Sequence, residues 1–369
     1  MHIHKPQISF PLPDPYLIFA ALALVMMGFV FVFSTSTVVA ESHFNDPYYF
    51  TVKHLIYAAM GVAAFVGCYI TGPERLRRFS ALALMICVIL LALVYVPGVG
   101  LEVGGAMRWV RLGPWSFQPS ELLKLVVPLY VAHALCNKGK VSPSLLKGIL
   151  PILLFIAPSI LLVLLQPDLG TVVVLVAVVF AMVWVTGVSW RVFFALAFGG
   201  GSLMVWQVLT HPYQFRRILA FLNPWADPQG ISFHLIQSWM AIGSGGFWGQ
   251  GLGNSKLKYF YLPQQYTDFI FAVICEEGGF VAALLLLLLL MVLAARCFRV
   301  AILHHDPFQR LLATGLSVSI IGQSLLNIGV VVGLLPTTGI PLPLVSFGGT
   351  SLLVTCVALG WLARMSSQV

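Results

Sequence analysis

Apolar residues recur along the whole chain in runs close to the roughly 20 residues that a helix needs to cross the hydrocarbon core of a bilayer. The runs predict spans at Leu17–Phe33, Leu55–Ile70, Ser80–Val96, Leu122–Leu135, Gly148–Leu165, Gly170–Val185, Val192–Leu209, Phe269–Leu293, Leu312–Val332 and Leu344–Leu362. The longest connection, roughly His211–Thr267, separates the seventh span from the eighth. The expected fold class is all-α, a polytopic membrane protein. It comprises one domain over residues 1–369, a bundle of about ten transmembrane helices with a large extracytoplasmic loop. Val38-Val39-Ala40 looks like a signal-peptidase site. The run before it exceeds the roughly 7–15 apolar residues of a cleaved address, and more spans follow, so a retained first helix is expected.

Composition points the same way: 59% hydrophobic and 9% charged residues among 369 leave too little polar surface to cover a water-soluble globule. Lys and Arg concentrate in alternate short loops, which marks those loops as cytoplasmic. Arg75, Arg77, Arg78, Lys138, Lys140, Lys147, Arg191, Arg296, Arg299, Arg310 and Arg364 then lie inside, as do both termini, and the long loop faces outward. The net charge of +8 comes from scattered anchors and not from a basic stripe interleaved with aromatics, so no nucleic-acid partner is expected. Six cysteines, without a C-x-x-C pair, lie in or beside spans and suggest neither a disulfide framework nor a zinc site. His304-His305-Asp306 lacks further ligands at metal spacing. The glycines of Gly243–Gly253 complete no phosphate-binding motif and are expected to permit tight turns or close backbone approach.

Of twelve acids, Glu121, Asp168, Asp268, Glu276 and Glu277 lie at or inside predicted span ends, where an ionisable residue is a functional candidate by default. Duller roles compete. Glu121 could pair with Lys124 at i, i+3, Asp168 could cap a helix, and Asp268 could merely sit at the positive end of its helix. Glu276 and Glu277 lie about 12 Å deeper than Asp268 along a helix and are expected to satisfy polar groups inside the bundle. Asp268 is better placed to meet a substrate from outside. Arg216, Arg217, Lys256 and Lys258 in the outer loop suit phosphate recognition. Outer-loop Trp and Tyr residues fit an interfacial belt.

Several segments, in order, resemble the SEDS family (shape, elongation, division and sporulation) along nearly the whole chain. They are Gly105–Trp109, Phe117–Leu122, Gln166–Thr171, Tyr261–Ala272, Gly333–Pro343 and Ser346–Ser351. Phe221–Pro228 and Gly249–Ser255 look more like the division branch than the elongation branch. The resemblance implies a ten-helix peptidoglycan glycosyltransferase at the outer face of the cytoplasmic membrane, at the division septum. It would polymerise lipid II with a cognate class B penicillin-binding protein and other division-complex membrane proteins as partners. It also implies that Asp268 is essential. General-base chemistry on a sugar hydroxyl would give that aspartate its role, and a divalent cation, magnesium or manganese, is the one cofactor left open. Arg108, Trp109, Glu121, Lys124, Asp168, Arg216, Arg217, Lys256 and Lys258 are the candidate substrate-binding residues, and Glu276, Glu277 and Ser346 the structural or accessory ones.

The chain departs from the family pattern in four places. Pro263-Gln264-Gln265-Tyr266-Thr267-Asp268 replaces the usual Pro-Glu-x-His-Thr-Asp, Phe260 stands where an acid is often found, Glu276-Glu277-Gly278-Gly279 replaces the usual Glu-Glu-Leu-Gly, and Phe347 replaces a common Tyr. Accessory acids of that loop therefore do not carry over. A lipid II flippase is a rival reading, which would place its charges along a path through the midplane. A non-catalytic scaffold is another, and it gives no reason for acids clustered at the membrane edge.

Overall fold

The computed structural model describes residues 12–103, 106–113, 115–137, 148–255 and 266–369. Each apolar run folds as a helix, because a backbone surrounded by lipid must satisfy its own hydrogen bonds. The helices are α1 (Pro15–Phe44), α2 (Tyr49–Thr71), the single turn α3 (Glu74–Arg77), α4 (Ser80–Leu93), α5 (Pro119–Asn137), α6 (Leu150–Leu165), α7 (Leu169–Val185), α8 (Trp190–Thr210), α9 (Pro212–Leu222), α10 (Phe233–Gly245), α11 (Ile270–Leu303), α12 (Pro307–Val331) and α13 (Gly349–Ser366). Among the described residues seven are long and apolar enough to cross a membrane: α1, α2, α5, α8, α11, α12 and α13. The shorter apolar helices α4, α6 and α7 complete the ten that the sequence predicts.

Helices pack closely where side chains are small, as membrane bundles require. A Cβ on Gly61 of α2 would come within 2.9 Å of the Cys356 sulfur on α13, and one on Gly360 would meet the Phe65 carbonyl at 2.6 Å. One face of the bundle is pinned by Asp14. Its carboxylate caps α1 through the amides of Tyr16 and Leu17 and pairs with Arg296 of α11, while its amide donates to Ser366 of α13. The start of α1 and the end of α13 therefore share that face.

The opposite face differs from expectation in two ways. The segment between α4 and α5 forms an antiparallel sheet, β1 (Gly100–Val103), β2 (Ala106–Leu112) and β3 (Trp115–Phe117) in that order. The connection after α8, read from sequence as a loop, carries α9, a 3-10 turn at Pro224–Ala226 and α10.

The 34-residue α11 is broken at Gly279, whose φ of 65° no helix contains. Gly246–Gly251 fills the break: the amides of Gln250 and Gly251 donate to the carbonyls of Glu276 and Glu277, and those of Phe280 and Val281 donate to Gly246 and Phe247. A side chain cannot fit there, since a Cβ on Gly279 would lie 2.3 Å from the Gly249 nitrogen. Below the break, Phe280–Leu303 is about 36 Å long at 1.5 Å per residue, enough to span the hydrocarbon unaided. Above it, Ile270–Glu277 is buried residue after residue, so this upper piece is enclosed by protein, with Asp268 just before its N-terminal end.

Candidate functional site

Asp268 precedes α11, held by backbone contacts from the loop between α12 and α13. The Asn327 side-chain amide on α12 donates to the carbonyls of Asp268 and Ile340, at 2.7 Å each. The Ser346 hydroxyl donates to the Thr267 carbonyl at 2.5 Å and accepts from the Leu342 amide at 2.8 Å, and the Phe347 amide reaches the Tyr266 carbonyl. Ser346 thus acts as a structural clamp. With the backbone fixed on both sides, the carboxylate is left without a hydrogen bond or ion pair among the described residues.

That carboxylate opens into a cavity of about 780 Å³ lined from several parts of the fold. β2 contributes Ala106 and Arg108, α9 contributes Gln214 and Arg217, α10 contributes His234, α12 contributes Asn327, and the α12–α13 loop contributes Thr337, Thr338 and Gly339. Arg108 donates to the carbonyls of Gln166 and Pro167 at 2.9 and 2.7 Å. Arg217 donates to the Thr337 carbonyl at 3.0 Å and the Tyr213 hydroxyl at 2.6 Å, its guanidinium over the Tyr213 ring. A guanidinium has five donors, so both arginines keep N–H groups for an anion. Burial pushes the Asp268 carboxyl from 3.8 up to about 6 against the opposing pull of Arg217 and Arg108, and the Asp168 charge adds to the rise.

Several cavity groups have hydrogen-bonding capacity to spare. Nε2 and Oε1 of Gln214, Nδ1 of His234, Oδ1 of Asn327 and Oγ1 of Thr338 are buried without a hydrogen-bond partner among the described residues. Burying such a group unpaired costs roughly 1–3 kcal/mol, which a ligand offering donors and acceptors would recover.

The remaining sequence candidates lie elsewhere. Strand alternation turns Trp109 away from Arg108, and it does not line the cavity. Glu121 and Lys124 do not line it either: they form a buried ion pair of 2.6 Å, with Lys124 also donating to Gln323 at 2.6 Å. Gln323 in turn donates to the Pro341 carbonyl, which links the pair to the loop beneath the site. Asp168 is the cap of α7, accepting from the Thr171 amide and hydroxyl. Arg216 faces a second cavity of about 380 Å³ with Asn223 and Asp227. Lys256 and Lys258 lie outside the described residues. Glu277 accepts from Ser34 and the Ser255 amide, and Glu276 from the Ser255 hydroxyl, so both hold the bundle and the Gly246–Ser255 turn together. Among the described residues no three His, Cys, Asp or Glu side chains gather as metal ligands. His304 accepts from the Asp306 amide, and Asp306 caps α12.

Gln214, His234, Asn327 and Thr338 were not singled out from the sequence. Only Asn327 carries a signal there: with Gln323 it places polar groups at i and i+4 on one face of an apolar span.

The model of a family described as cell cycle protein, FtsW, RodA and SpoVE, matches residues 15–369. The chain is 41% identical over 354 residues to the stage V sporulation protein E of Bacillus subtilis, covering 96% of this chain and 97% of that one. It is 38% identical over 356 residues to the "Probable peptidoglycan glycosyltransferase FtsW" of Geobacter sulfurreducens, covering 96% and 95%. Among solved structures, one similar chain comes from a peptidoglycan synthase complex in which polymerization and crosslinking are coordinated, with a TM-score of 0.80, 32% identity and coverage of 96% and 98%. Another is the rod shape determining protein RodA of Thermus thermophilus, with a TM-score of 0.70, 29% identity and coverage of 98% of each chain.

Proposed function

Since the chain belongs to the FtsW, RodA and SpoVE family of cell cycle proteins, we propose that it is a peptidoglycan glycosyltransferase. It polymerises lipid II at the outer end of a multi-pass membrane bundle, and in the cell it works at the division septum of the cytoplasmic membrane with both termini inside. One observation carries the reading: Asp268, whose carboxylate has no hydrogen bond or ion pair among the described residues, stands at a cavity that also holds two arginines. Asp268 takes the proton of the attacking sugar hydroxyl as that oxygen bonds to the anomeric carbon of the second sugar. The bond from that carbon to the diphosphate breaks, and Arg108 and Arg217 receive the departing undecaprenyl diphosphate.

A divalent cation in this cavity would be held by Asp268 and the diphosphate oxygens and not by a protein cage, the usual arrangement for magnesium. Bound there it would offset charge on the leaving group. The similar chain from a synthase complex supports a cognate class B penicillin-binding protein as partner, with other membrane proteins of the division complex around the pair.

The test is polymerisation of lipid II by the purified chain, alone and with its cognate penicillin-binding protein. Glycan chains are expected from the wild type and none from Asp268→Asn at equal folded yield; an active Asp268→Asn protein would overturn the assignment.

A further inference from the structure

The cavity holds two kinds of chemistry, and the glycosyltransferase reading uses only one. Arginines and a carboxylate account for the diphosphate and the proton. They leave unexplained the neutral groups buried without partners among the described residues: the Gln214 amide, His234 Nδ1, Asn327 Oδ1 and Thr338 Oγ1. Gln214 and Asn327 are 4% and 2% exposed, so water does not solvate them freely.

Their placement follows Asp268. Asn327 bonds the Asp268 carbonyl, and His234 stacks on Phe269, the next residue, with ring centroids 5.8 Å apart. Thr338 precedes Gly339, where an added Cβ would lie 3.6 Å from the Asp268 carboxylate. Gln214 stands one turn before Arg217 on α9.

We infer that Gln214, His234, Asn327 and Thr338 form a saccharide-recognising subsite, pairing with the ring hydroxyls and N-acetyl amide of the sugar that reacts at Asp268. The inference rests on the glycosyltransferase reading. A neutral mixture of donors and acceptors matches hydroxyls and amides, whereas a stem peptide's carboxylates would call for cations. Unpaired buried groups also discriminate sharply, because a ligand lacking the matching hydroxyl leaves them unsatisfied.

The experiment compares two lipids in nanodiscs holding the full chain: undecaprenyl diphosphate, and the same lipid bearing the disaccharide with its peptide stem removed. The variants are Gln214→Met and Thr338→Val, which keep volume and remove hydrogen bonding. Each should weaken the disaccharide lipid about tenfold, the order of one lost hydrogen bond, and leave undecaprenyl diphosphate bound as in the wild type. Unchanged binding of bare lipid also reports intact folding. Arg217→Gln should weaken both lipids. Variants that bind both lipids as the wild type does, or lose both equally, would overturn the subsite. A wild-type chain that prefers the disaccharide lipid but makes no glycan would support the subsite and count against the polymerase reading. One that makes glycan without that preference would count against the subsite alone.

Discussion

A carboxyl that accepts a proton from a sugar hydroxyl must be ionised yet basic, and an exposed aspartate is too weak a base. Burial brings Asp268 to about 6, close to the working pH. Because the folded value lies above the unfolded one, stability contributed by this group falls as pH rises from about 4 to about 6. Activity runs the other way. The glycosyltransferase rate should drop about tenfold per pH unit below roughly 6 and level off above it. Arg217 and Arg108 pull the value down, so Arg217→Gln should move the acid limb of the rate profile to higher pH. A limb that stays in place would mean that another group titrates. Asp268 was legible in the sequence as an acid at a span end. Its neighbours were less so: neutral Gln214 and Thr338 carry no pattern, and Arg216 and Arg217 are alike as letters. They diverge because consecutive residues on α9 point about 100° apart, sending one toward each cavity.

At the scale of elements, α5 and α12 share a polar seam in an apolar setting. Glu121, Lys124 and Gln323 form a bonded chain that ends on the Pro341 carbonyl of the loop under Asp268. Cutting a buried pair on one side costs about 3–5 kcal/mol, while replacing both partners with apolar residues is often neutral. Glu121→Leu alone should therefore lower thermal stability sharply, and Glu121→Leu with Lys124→Met should recover most of it, as read by unfolding in detergent. The spans were legible because the apolar runs are long. The three-stranded sheet was not, because β1 and β3 have only four and three residues, too short for a period of two to register. Nor were α9 and α10, whose polar residues made the connection read as a loop.

For the whole molecule, the Asp14 contacts gather both described ends of the chain on one face, and the Asp268 cavity opens at the other. If the basic face is cytoplasmic, an impermeant maleimide should label exposed Gln229→Cys in intact cells, and exposed His305→Cys only after permeabilisation. The reverse pattern would invert the bundle. The six native cysteines lie within helices and serve as the background control. The contacts beside the break at Gly279 also have an order in time, because a chain is made from its N-terminus. Ser34 and Ser255, which hold Glu277 and Glu276, leave the ribosome before the glutamates do, so Ile270–Gly278 emerges onto partners already made. Asn327 and Ser346, which position Asp268, are made after it. A nascent chain thus offers Ile270–Gly278 polar partners already in place, and completes the setting of Asp268 only once α12 and the α12–α13 loop have been made.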